Sequence, residues 1–392
     1  MARKTIKSTL ALAAGALAQA TVAASPASSQ NSPWGPPGDA PYKSADVTYS
    51  NYQFRDREVL PSLRVHYLTL GTPHRDAQGQ IDNAVLVLHW TGADSKAVTT
   101  RIYTKSLYDP GQPLDANRYF LIFPDAIGCG QTSKPSDGLR AKFPNYGYGD
   151  MVDIQHKLVA DTLGIKHLHA ILGMSMGGMN AWQWAEAYPG EMDGVMPVVS
   201  LPTKVSGRNA IWRHLAVDMI RDDPGYKDGD YTGPLTNTAR AYSLLRMMID
   251  SVEHLQSVAP DGESTDNFLG ELAAQSRGID ANDLLYSLKS SADYDPEPHL
   301  SAIRTKLFAL NFDDDEFNPD RLGVLEKLTP TIPGARYVVQ KGTANTPGHL
   351  TMTRPDLWAQ HVGTFMHWLE SGHETTGIPR SSDRKAYGHD DC

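Results

Sequence analysis

A serine stands between two glycines in the segment Gly173-Met174-Ser175-Met176-Gly177. The segment follows an apolar run typical of a buried strand and precedes a helical stretch that stops at Pro189. This is the context of a tight strand-to-helix turn, in which the positions two before and two after the serine have no room for a side chain. The pattern predicts that Ser175 is a nucleophile and that the N–H of Met176, at the start of the helix, is an oxyanion donor.

Two other interpretations of this turn are weaker. The first is a structural turn in which the serine is incidental, but a structural turn does not require a serine between a buried strand and a helix. The second is a phosphate-binding loop, which lacks here the Gly-Lys-Ser/Thr that such loops carry.

A serine hydroxyl needs a neighbouring base, and in strand-turn-helix hydrolytic sites the order along the chain is serine, acid, histidine. His349 is the predicted base, because it lies in the loop after a strand-like run over 335–340. The acid should follow the preceding strand-like run, over 305–311, but residues 313–316 are four consecutive acids and the order does not select among them. Asp125 precedes the serine and is in the wrong order for this role.

The segment His89-Trp90-Thr91-Gly92 ends the first buried strand-like run, over 83–89. We interpret His89 as a residue that shapes the loop at the end of this strand. The loop is predicted to supply the second backbone donor of the oxyanion hole, from Thr91 or Trp90.

The remaining histidines give no metal-ligand pattern, because no pair of histidines or cysteines has ligand spacing on one helix. His167 and His169 lie at the edge of a strand-like run, and His361 and His367 lie on the last predicted helix. Structural or surface roles explain these four. The acid run 313–316 could bind a cation at the surface, but no catalytic metal and no cofactor are expected.

The composition limits the partners. The chain has 392 residues, 36 Lys+Arg against 45 Asp+Glu and a formal net charge of −9, so no overall basic field attracts nucleic acid or anionic membrane surfaces. The length allows one large domain or two small ones. Two cysteines, Cys129 and Cys392, cannot form a disulfide framework or a structural zinc site, and whether they are free stays open.

The first 24 residues read as a signal peptide. Three basic residues precede an acid-free, Ala-rich run over 10–24, with a preferred cleavage after Ala24 and a second plausible one after Ala20. A transmembrane anchor is the alternative, but the run is short for a span. We expect a secreted or periplasmic protein without a membrane anchor after processing. Removing the leader with its three positive charges lowers the formal net charge from −9 to −12.

The rest of the chain alternates strand-like and helical patterns, which predicts a mostly parallel sheet with crossover helices. The predicted strands and helices are listed here: strands over 46–54, 63–70, 83–89, 119–124, 168–172, 305–311 and 335–340, and helices over 151–163, 209–221, 236–256, 267–275 and 357–369. Strand signals disappear between 204 and 297, which predicts a helical lid inserted into the α/β core.

The predicted organisation has six parts: a signal peptide (1–24), a flexible arm (25–45), the first part of the core (46–203), the lid (204–297), the second part of the core (298–370) and a polar tail (371–392). Large lid side chains were expected to shape an apolar pocket or to pack the lid: Trp212, Met219, Tyr231, Tyr242, Met247 and Met248.

Three segments around the serine, over 163–170, 173–179 and 184–189, resemble the homoserine O-acetyltransferase family of α/β-hydrolases, and so do lid segments over 223–231 and 279–286. The resemblance covers roughly residues 46–370. It implies the α/β-hydrolase fold, a mostly parallel sheet flanked by helices, with a helical lid insertion. It also implies that the acid is Asp315, four residues before Pro319, and that the family's Gly-His falls on Gly348-His349.

Two departures from the family pattern bear on the acceptor. Gly149 stands where the family commonly has an arginine, and Leu350 stands where the family has an aspartate directly after the histidine. The resemblance therefore implies that groups suited to the carboxylate and amino ends of homoserine are missing. Burying a charged end of an acceptor without a partner costs several kcal/mol, on the order of a hundredfold in discrimination.

An exported protein also lacks a ready supply of acetyl-CoA. We therefore predict a serine hydrolase that cleaves a small-molecule carboxylic ester. The alternatives are an acyltransferase with an acceptor other than homoserine and a non-catalytic binding protein on the same fold. The identity of the ester is not determined by the sequence, and a homodimer is possible.

Overall fold

The structure is a computed structural model that describes residues 21–24 and 35–371. Its single sheet has nine strands, in the order β1-β2-β3-β5-β4-β6-β7-β8-β9. The strands are β1 Thr21–Ala24, β2 Lys43–Gln53, β3 Val59–Leu70, β4 Ala84–Leu88, β5 Phe120–Pro124, β6 Leu168–Met174, β7 Met192–Val198, β8 Lys306–Phe312 and β9 Arg336–Gln340.

The first strands are antiparallel and the rest are parallel. β1 pairs with β2, β2 with β3, and β3 with β5 in antiparallel register, whereas β5, β4, β6, β7, β8 and β9 run parallel to one another. β4, with every residue buried, lies between β5 and β6 near the middle of the sheet. The carboxyl ends of the parallel strands therefore meet at one edge, where ligands bind in open α/β sheets.

The helices are α1 Arg101–Tyr103, α2 Tyr148–Lys157, α3 Met176–Ala187, α4 Gly207–Arg221, α5 Thr236–Ile249, α6 Val252–Val258, α7 Gly262–Ser276, α8 Ala281–Lys289, α9 Val324–Leu328 and α10 Ala359–Ser371. α3 follows β6 directly and contacts β4, β6 and β7. α10 packs on the sheet through Val362 and Phe365, and Phe365 stacks on Phe308 of β8. The predicted α/β fold class is confirmed.

One strand and one helix of the structure differ from the prediction in ways that have a clear physical reason. The strand β7 was not predicted, because its sequence Met-Asp-Gly-Val-Met-Pro-Val carries a glycine, a proline and an acid that lower strand propensity, although all but Asp193 are buried. The helix predicted over 236–256 is interrupted. The first helix ends at Ile249. Ser251 begins the second helix as its N-cap, since its side chain accepts a hydrogen bond from the N–H of His254.

The predicted N-terminal and C-terminal segments lie mostly outside the described residues. Of the predicted leader, the last four residues are described, and they form β1 beside β2. The signal peptide, the flexible arm up to residue 34 and the tail from 372 therefore stay predictions. Within 21–24 and 35–371, no helix is long and apolar enough to cross a membrane.

Helices α4 to α8 occupy the segment predicted as a lid, and α4 packs on α5 and α8. One junction with the core is polar. The carboxylate of Asp283, on α8, accepts hydrogen bonds from the backbone N–H of Ser136 (2.9 Å) and from its hydroxyl (2.6 Å). Burial raises the pKa of Asp283 to about 6, although the bonds from Ser136 oppose the rise.

This raised pKa predicts a pH dependence of stability. An acid whose pKa is raised by folding stabilises the folded state in its protonated form; that contribution is complete below the ordinary pKa of 3.8 and is lost as the pH rises to about 6. We compare the free energy of unfolding of Asp283→Asn with that of wild type. The variant should become more stable relative to wild type by about 1–2 kcal/mol when the pH rises from 4.5 to 7.5, after allowance for solvent screening. Urea unfolding at both pH values measures this.

The exposed lid residue Asp266 provides the control. The difference between Asp266→Asn and wild type should be the same at both pH values. A difference between Asp283→Asn and wild type that does not change with pH would contradict the prediction.

Candidate active site

Ser175 lies at the turn between β6 and α3, at the carboxyl edge of the sheet. Its backbone has φ 52° and ψ −111°, a conformation that residues other than glycine rarely adopt. The turn is fixed by the N–H of Ser175, which donates to the carbonyl of Val198 at 2.9 Å. The strained turn raises the serine above the sheet edge, as expected for a nucleophile.

The two glycines of the turn are required by backbone contacts. A Cβ at Gly173 would collide with the carbonyl of Gly177, and a Cβ at Gly177 would collide with the carbonyls of Leu88 and His89. These neighbours are backbone atoms at the end of β4 and in the turn itself, so they cannot move aside as a flexible side chain would. The close approach also places the start of α3 against the loop after β4.

We expect Gly177→Ala to lower the free energy of unfolding by about 3 kcal/mol or more and to lower the rate at which Ser175 reacts with a fluorophosphonate at least tenfold in the protein that remains folded. The reason is that α3 must move away from β4, which displaces Ser175 and the N–H of Met176. Urea denaturation and kinetic assays of the same samples measure the two effects. The control is Gly190→Ala, where the added methyl meets open space. Equal stability and an equal rate of reaction in both variants would contradict this account of the turn.

The structure brings Ser175, His349 and Asp315 together. Ser175 Oγ lies 2.9 Å from His349 Nε2, and His349 Nδ1 lies 2.8 Å from Asp315 Oδ2. All three residues are at most 3% exposed. Because a carboxylate can only accept, Nδ1–H donates to Asp315, and Nε2 is left to accept the serine hydroxyl. The arrangement can deprotonate Ser175 as it attacks a carbonyl carbon.

Asp315 is held by two backbone donors that sequence reasoning did not identify. Its Oδ1 accepts hydrogen bonds from the N–H groups of Phe317 (2.8 Å) and Asn318 (2.9 Å). The Asn318 side chain in turn donates to the carbonyl of Val199 at 2.8 Å. An aspartate that accepts from the N–H two residues on is a common turn, so the spacing Asp315-Glu316-Phe317 was an available signal.

The other three acids of the run 313–316 have different partners. Asp313 accepts from the N–H of Gly342, and Asp314 accepts from the hydroxyl of Thr346 at 2.7 Å. Glu316 forms ion pairs with Arg208 and Arg321 at the surface. These partners leave Asp315 as the acid in contact with His349.

His89 fixes the loop after β4. Its Nε2 accepts a hydrogen bond from the N–H of Ala126 at 3.0 Å, so the ring proton is on Nδ1, which donates to the carbonyl of Trp90 at 2.9 Å. In a trans peptide the carbonyl and the following N–H point in opposite directions. The N–H of Thr91 is therefore turned away from the ring of His89, and Thr91 and Trp90 both remain candidates for the second oxyanion donor beside Met176. The oxyanion assignment stays a prediction.

A second serine, histidine and aspartate share the distances of the first set. His66 Nε2 lies 2.9 Å from Ser44 Oγ, and His66 Nδ1 lies 2.8 Å from Asp125 Oδ2. Asp125 also accepts from the N–H groups of Ser95 (2.7 Å) and Gln131 (2.8 Å). Burial raises the pKa of Asp125, but the bonds from His66 and the backbone outweigh it and hold the pKa below its usual value.

This second set lacks the surroundings of a nucleophile. Ser44 lies within β2, paired with Leu68 of β3, and follows no strained turn and precedes no helix. Asp125 instead ties the end of β5 to Ser95 in the segment after β4. We assign the set a structural role, which the sequence did not reveal because its members are far apart along the chain.

The predicted lid contacts the surroundings of His349 at two places. Phe317 packs edge-on against the ring of His349, with centroids 5.1 Å apart, and the lid residue Trp212 packs edge-on against Phe317 at 5.9 Å. At the break between α5 and α6, the Ser251 hydroxyl donates to the carbonyl of Thr346, in the loop that carries His349. The lid therefore supports the loop of the base.

The other large lid residues of the sequence analysis lie elsewhere. Tyr231 stacks on Tyr226, the Tyr242 hydroxyl donates to Gln275, and Met247 is 51% exposed. Met219 and Met248 are partly buried against the core. Among the six, Trp212 packs on Phe317, which contacts His349.

The positions that depart from the family pattern have particular surroundings. A Cβ at Gly149 would collide with the guanidinium of Arg55, which pairs with Asp153 at the surface at 2.7 Å. Leu350 is 8% exposed and directly follows His349, with its N–H donating to the carbonyl of Pro347. The residue after the base is thus apolar and buried.

Within 35–371, no group of three or more His, Cys, Asp or Glu side chains is arranged to hold a metal ion. Cys129 is a free, buried cysteine whose thiol pKa is raised by burial and by the nearby Asp125.

Comparisons with known proteins agree with this architecture. Residues 87–344 match the model of the alpha/beta hydrolase fold family. A probable acyltransferase of Methanothermobacter thermautotrophicus is 28% identical over 320 residues, which cover 80% of this chain and 95% of the relative. A homoserine O-succinyltransferase of Magnetococcus marinus is 30% identical over 310 residues, which cover 66% of this chain and 76% of the relative.

Solved structures share the fold. A homoserine O-acetyltransferase from Bacillus anthracis superposes with a TM-score of 0.73 at 22% identity, covering 83% of this chain and 97% of that chain. The esterase E22 superposes with a TM-score of 0.72 at 20% identity, covering 83% and 100%. Together with the match over 87–344 and the relative at 30% identity, this shows that the chain belongs to the α/β-hydrolase fold family, in the group that includes the homoserine O-acyltransferases.

Proposed function

We propose that the protein is a serine hydrolase that cleaves a carboxylic ester through an acyl-enzyme on Ser175. The observation that carries the proposal is the continuous chain of hydrogen bonds from Ser175 Oγ through His349 to Asp315, on a strained turn at the helix start. The family membership also supports an enzyme that transfers an acyl group, because relatives in this family are named as acyltransferases.

In the first half of the reaction, Ser175 Oγ attacks the ester carbonyl while His349 Nε2 takes its proton. Asp315 holds the imidazole in the required tautomer and stabilises the imidazolium that forms. The oxyanion is stabilised by the N–H of Met176, aided by the positive end of the α3 dipole, and by the N–H of Thr91 or Trp90. His349 then gives its proton to the leaving alkoxide, and the alcohol departs.

In the second half, water takes the place of the alcohol. His349 removes a proton from water, the hydroxide attacks the acyl carbonyl, and the proton returns to Ser175 Oγ as the acid is released. Each half uses the same donors for the oxyanion.

The buried, apolar Leu350 supports water as the acyl acceptor. An ammonium or carboxylate brought next to His349 would meet no opposite charge from this side chain and would lose its hydration. The crowding of position 149 by Arg55, which is already paired with Asp153, is consistent with this. Neutral esters are therefore the favoured substrates beside the base.

A panel of p-nitrophenyl esters of increasing chain length, with aryl and lactone esters beside them, tests the proposal. We expect hydrolysis whose rate does not depend on an added alcohol. Failure of the wild-type protein to hydrolyse any ester of the panel and to react with a fluorophosphonate at Ser175 would sink the catalytic proposal and favour a binding protein.

The second candidate is an acyltransferase with an acceptor other than homoserine. It is favoured by the relatives named as acyltransferases, at 28% and 30% identity. Release of free thiol from acetyl-CoA, measured with and without candidate alcohols, separates the two. A hydrolase shows no dependence on the alcohol, whereas a transferase forms the new ester and consumes acetyl-CoA only when the alcohol is present.

We further propose that the chain is exported and that its leader is removed after Ala24. The support is the basic start followed by an acid-free apolar run. Expression of the whole chain in a bacterial host, followed by mass spectrometry of periplasmic and cytoplasmic fractions, tests this. A mature periplasmic protein that starts at Ser25 is expected, and an uncleaved cytoplasmic protein would contradict it.

A further inference from the structure

A cavity of about 390 Å³ lies outside the triad, beside one face of α4, the end of α8 and the turn that follows it. Its lining carries four cationic side chains, Lys204, Arg213, Arg221 and Lys289, against one carboxylate, Asp218. The imidazole of His214 also lines the cavity. This concentration of positive charge stands out in a protein whose formal net charge is −9.

Arg213 is the buried member of this set. It is 4% exposed, its Nε donates to Asn209 Oδ1 at 2.8 Å, and its Nη1 donates to the carbonyl of Leu288 at 3.3 Å. Both partners are neutral, and within 35–371 no carboxylate lies within ion-pair distance of its guanidinium. A guanidinium has five N–H donors, so three remain for a ligand. A buried charge without a counter-ion is costly unless something else neutralises it.

Within 35–371, two of the other three cations have no ion-pair partner. Lys204 pairs with Asp295 at 2.9 Å, but the contacts of Lys289 are neutral: the Asn145 side chain at 3.4 Å and the Tyr286 ring. Arg221 has no ion pair in the described part of the chain. Burial lowers the pKa of Lys289, and repulsion from Arg221 adds to this. An anion that entered the cavity would relieve this repulsion.

We propose that this cavity binds the oxyanion group of a small molecule, a carboxylate or a phosphate, with Arg213 as the buried anchor and Arg221 and Lys289 at its sides. A planar guanidinium with free N–H groups matches two oxygens of either group. The site lies beside the catalytic machinery: the guanidinium carbon of Arg213 is 5.9 Å from the ring centroid of Phe317, which packs on His349. Binding of an anion to Arg213 would therefore change the surroundings of the Phe317 ring, which packs on His349.

Binding of inorganic phosphate and of succinate, in separate titrations at constant ionic strength with chloride, tests the proposal. The readouts are isothermal titration calorimetry and the melting temperature, together with the fluorescence of the protein, since Trp212 packs on Phe317. We expect saturable binding of at least one of the two anions and a rise in melting temperature of several degrees at saturation. The anion that binds more tightly identifies which of the two chemistries the site takes.

The variant Arg213→Gln should weaken anion binding by roughly 10- to 100-fold. Arg208→Gln is the matched control, because Arg208 also lies on α4 but pairs with Glu316 and does not line the cavity. If Arg213→Gln fails to fold, Arg221→Gln and Lys289→Gln replace it. Each removes one repelling charge, so each should keep or raise the melting temperature without anion and reduce the rise that anion causes.

The proposal is overturned if neither anion binds the wild-type protein beyond the effect of chloride, or if Arg208→Gln weakens binding as much as the cavity variants. None of these readouts requires turnover. Their outcome is therefore independent of whether the protein hydrolyses esters.

Discussion

Replacing Ser175 by alanine is expected to lower kcat for ester hydrolysis by about 10⁵- to 10⁶-fold while leaving the fold intact. In the proposed mechanism the hydroxyl oxygen forms the acyl-enzyme, and it lies 2.9 Å from His349 Nε2. Alanine keeps the Cβ and the strained backbone of the turn. The free energy of unfolding should therefore stay within about 1 kcal/mol of wild type, because one buried hydrogen bond is lost. Steady-state kinetics and urea unfolding of the same preparation measure the two quantities.

The chain contains a matched control for this substitution. Ser44 also lies 2.9 Å from a histidine Nε2, with an aspartate 2.8 Å behind that histidine. Ser44→Ala should keep kcat within about twofold of wild type, since Ser44 is part of a strand and has no helix start beside it. Reaction with a fluorophosphonate should be lost in Ser175→Ala and kept in Ser44→Ala. Substantial esterase activity in Ser175→Ala, or its loss in Ser44→Ala, would show that the nucleophile has been assigned to the wrong serine.

Local patterns were sufficient to predict most of the core. The apolar runs of β4, β5 and β6 are almost entirely buried, and short apolar runs bounded by turn formers are typical of strands buried on both faces. β7 was missed because its burial comes from neighbouring strands and not from its own propensities. The break between α5 and α6 was missed for a related reason. Ser251 lies inside an apolar periodicity, but it begins a new helix as its N-cap, and its hydroxyl donates to Thr346 of another loop.

The site shows the same division. The order serine, acid, histidine and the two glycines of the turn follow from local geometry, so they were predictable. The choice of Asp315 among four acids required the resemblance to a family. All four side chains are carboxylates, and the sequence does not show which of them points toward the histidine. Their different partners, Gly342, Thr346, His349 and Arg208, became visible only in three dimensions.

The set formed by Ser44, His66 and Asp125 shows why residue types and distances are insufficient to define a site. Its two side-chain distances equal those around His349, yet its serine sits in a ladder of paired strands and its aspartate is engaged by backbone donors of two loops. What distinguishes Ser175 is the backbone: φ 52°, a helix that starts at the next residue, and glycines that let β4 approach. Nucleophilicity therefore depends on how the sheet edge presents the hydroxyl.

Asp315→Asn is expected to lower kcat by about 10⁴-fold with little change in KM. Asparagine has nearly the same shape, and its carbonyl oxygen can still accept from the N–H groups of Phe317 and Asn318. Its amide NH₂ then faces His349 Nδ1 and donates to it. That bond moves the ring proton to Nε2, which can no longer accept the proton of Ser175. The variant should fold normally, and ¹⁵N NMR of the imidazole should report the changed tautomer.

The acids on either side of Asp315 provide the comparison that the sequence left open. Asp313→Asn and Glu316→Gln should keep kcat within a few fold of wild type, because Asp313 accepts from Gly342 and Glu316 pairs with surface arginines. Asp314→Asn should have a smaller effect than Asp315→Asn, since Asp314 contacts Thr346 in the loop of His349 and not the ring itself. A larger loss in Asp314→Asn than in Asp315→Asn, or less than a tenfold loss in Asp315→Asn, would mean that His349 is oriented by a different carboxylate. The tautomer measured by NMR separates this case from simple misfolding, because misfolding broadens the signals without moving the ring proton.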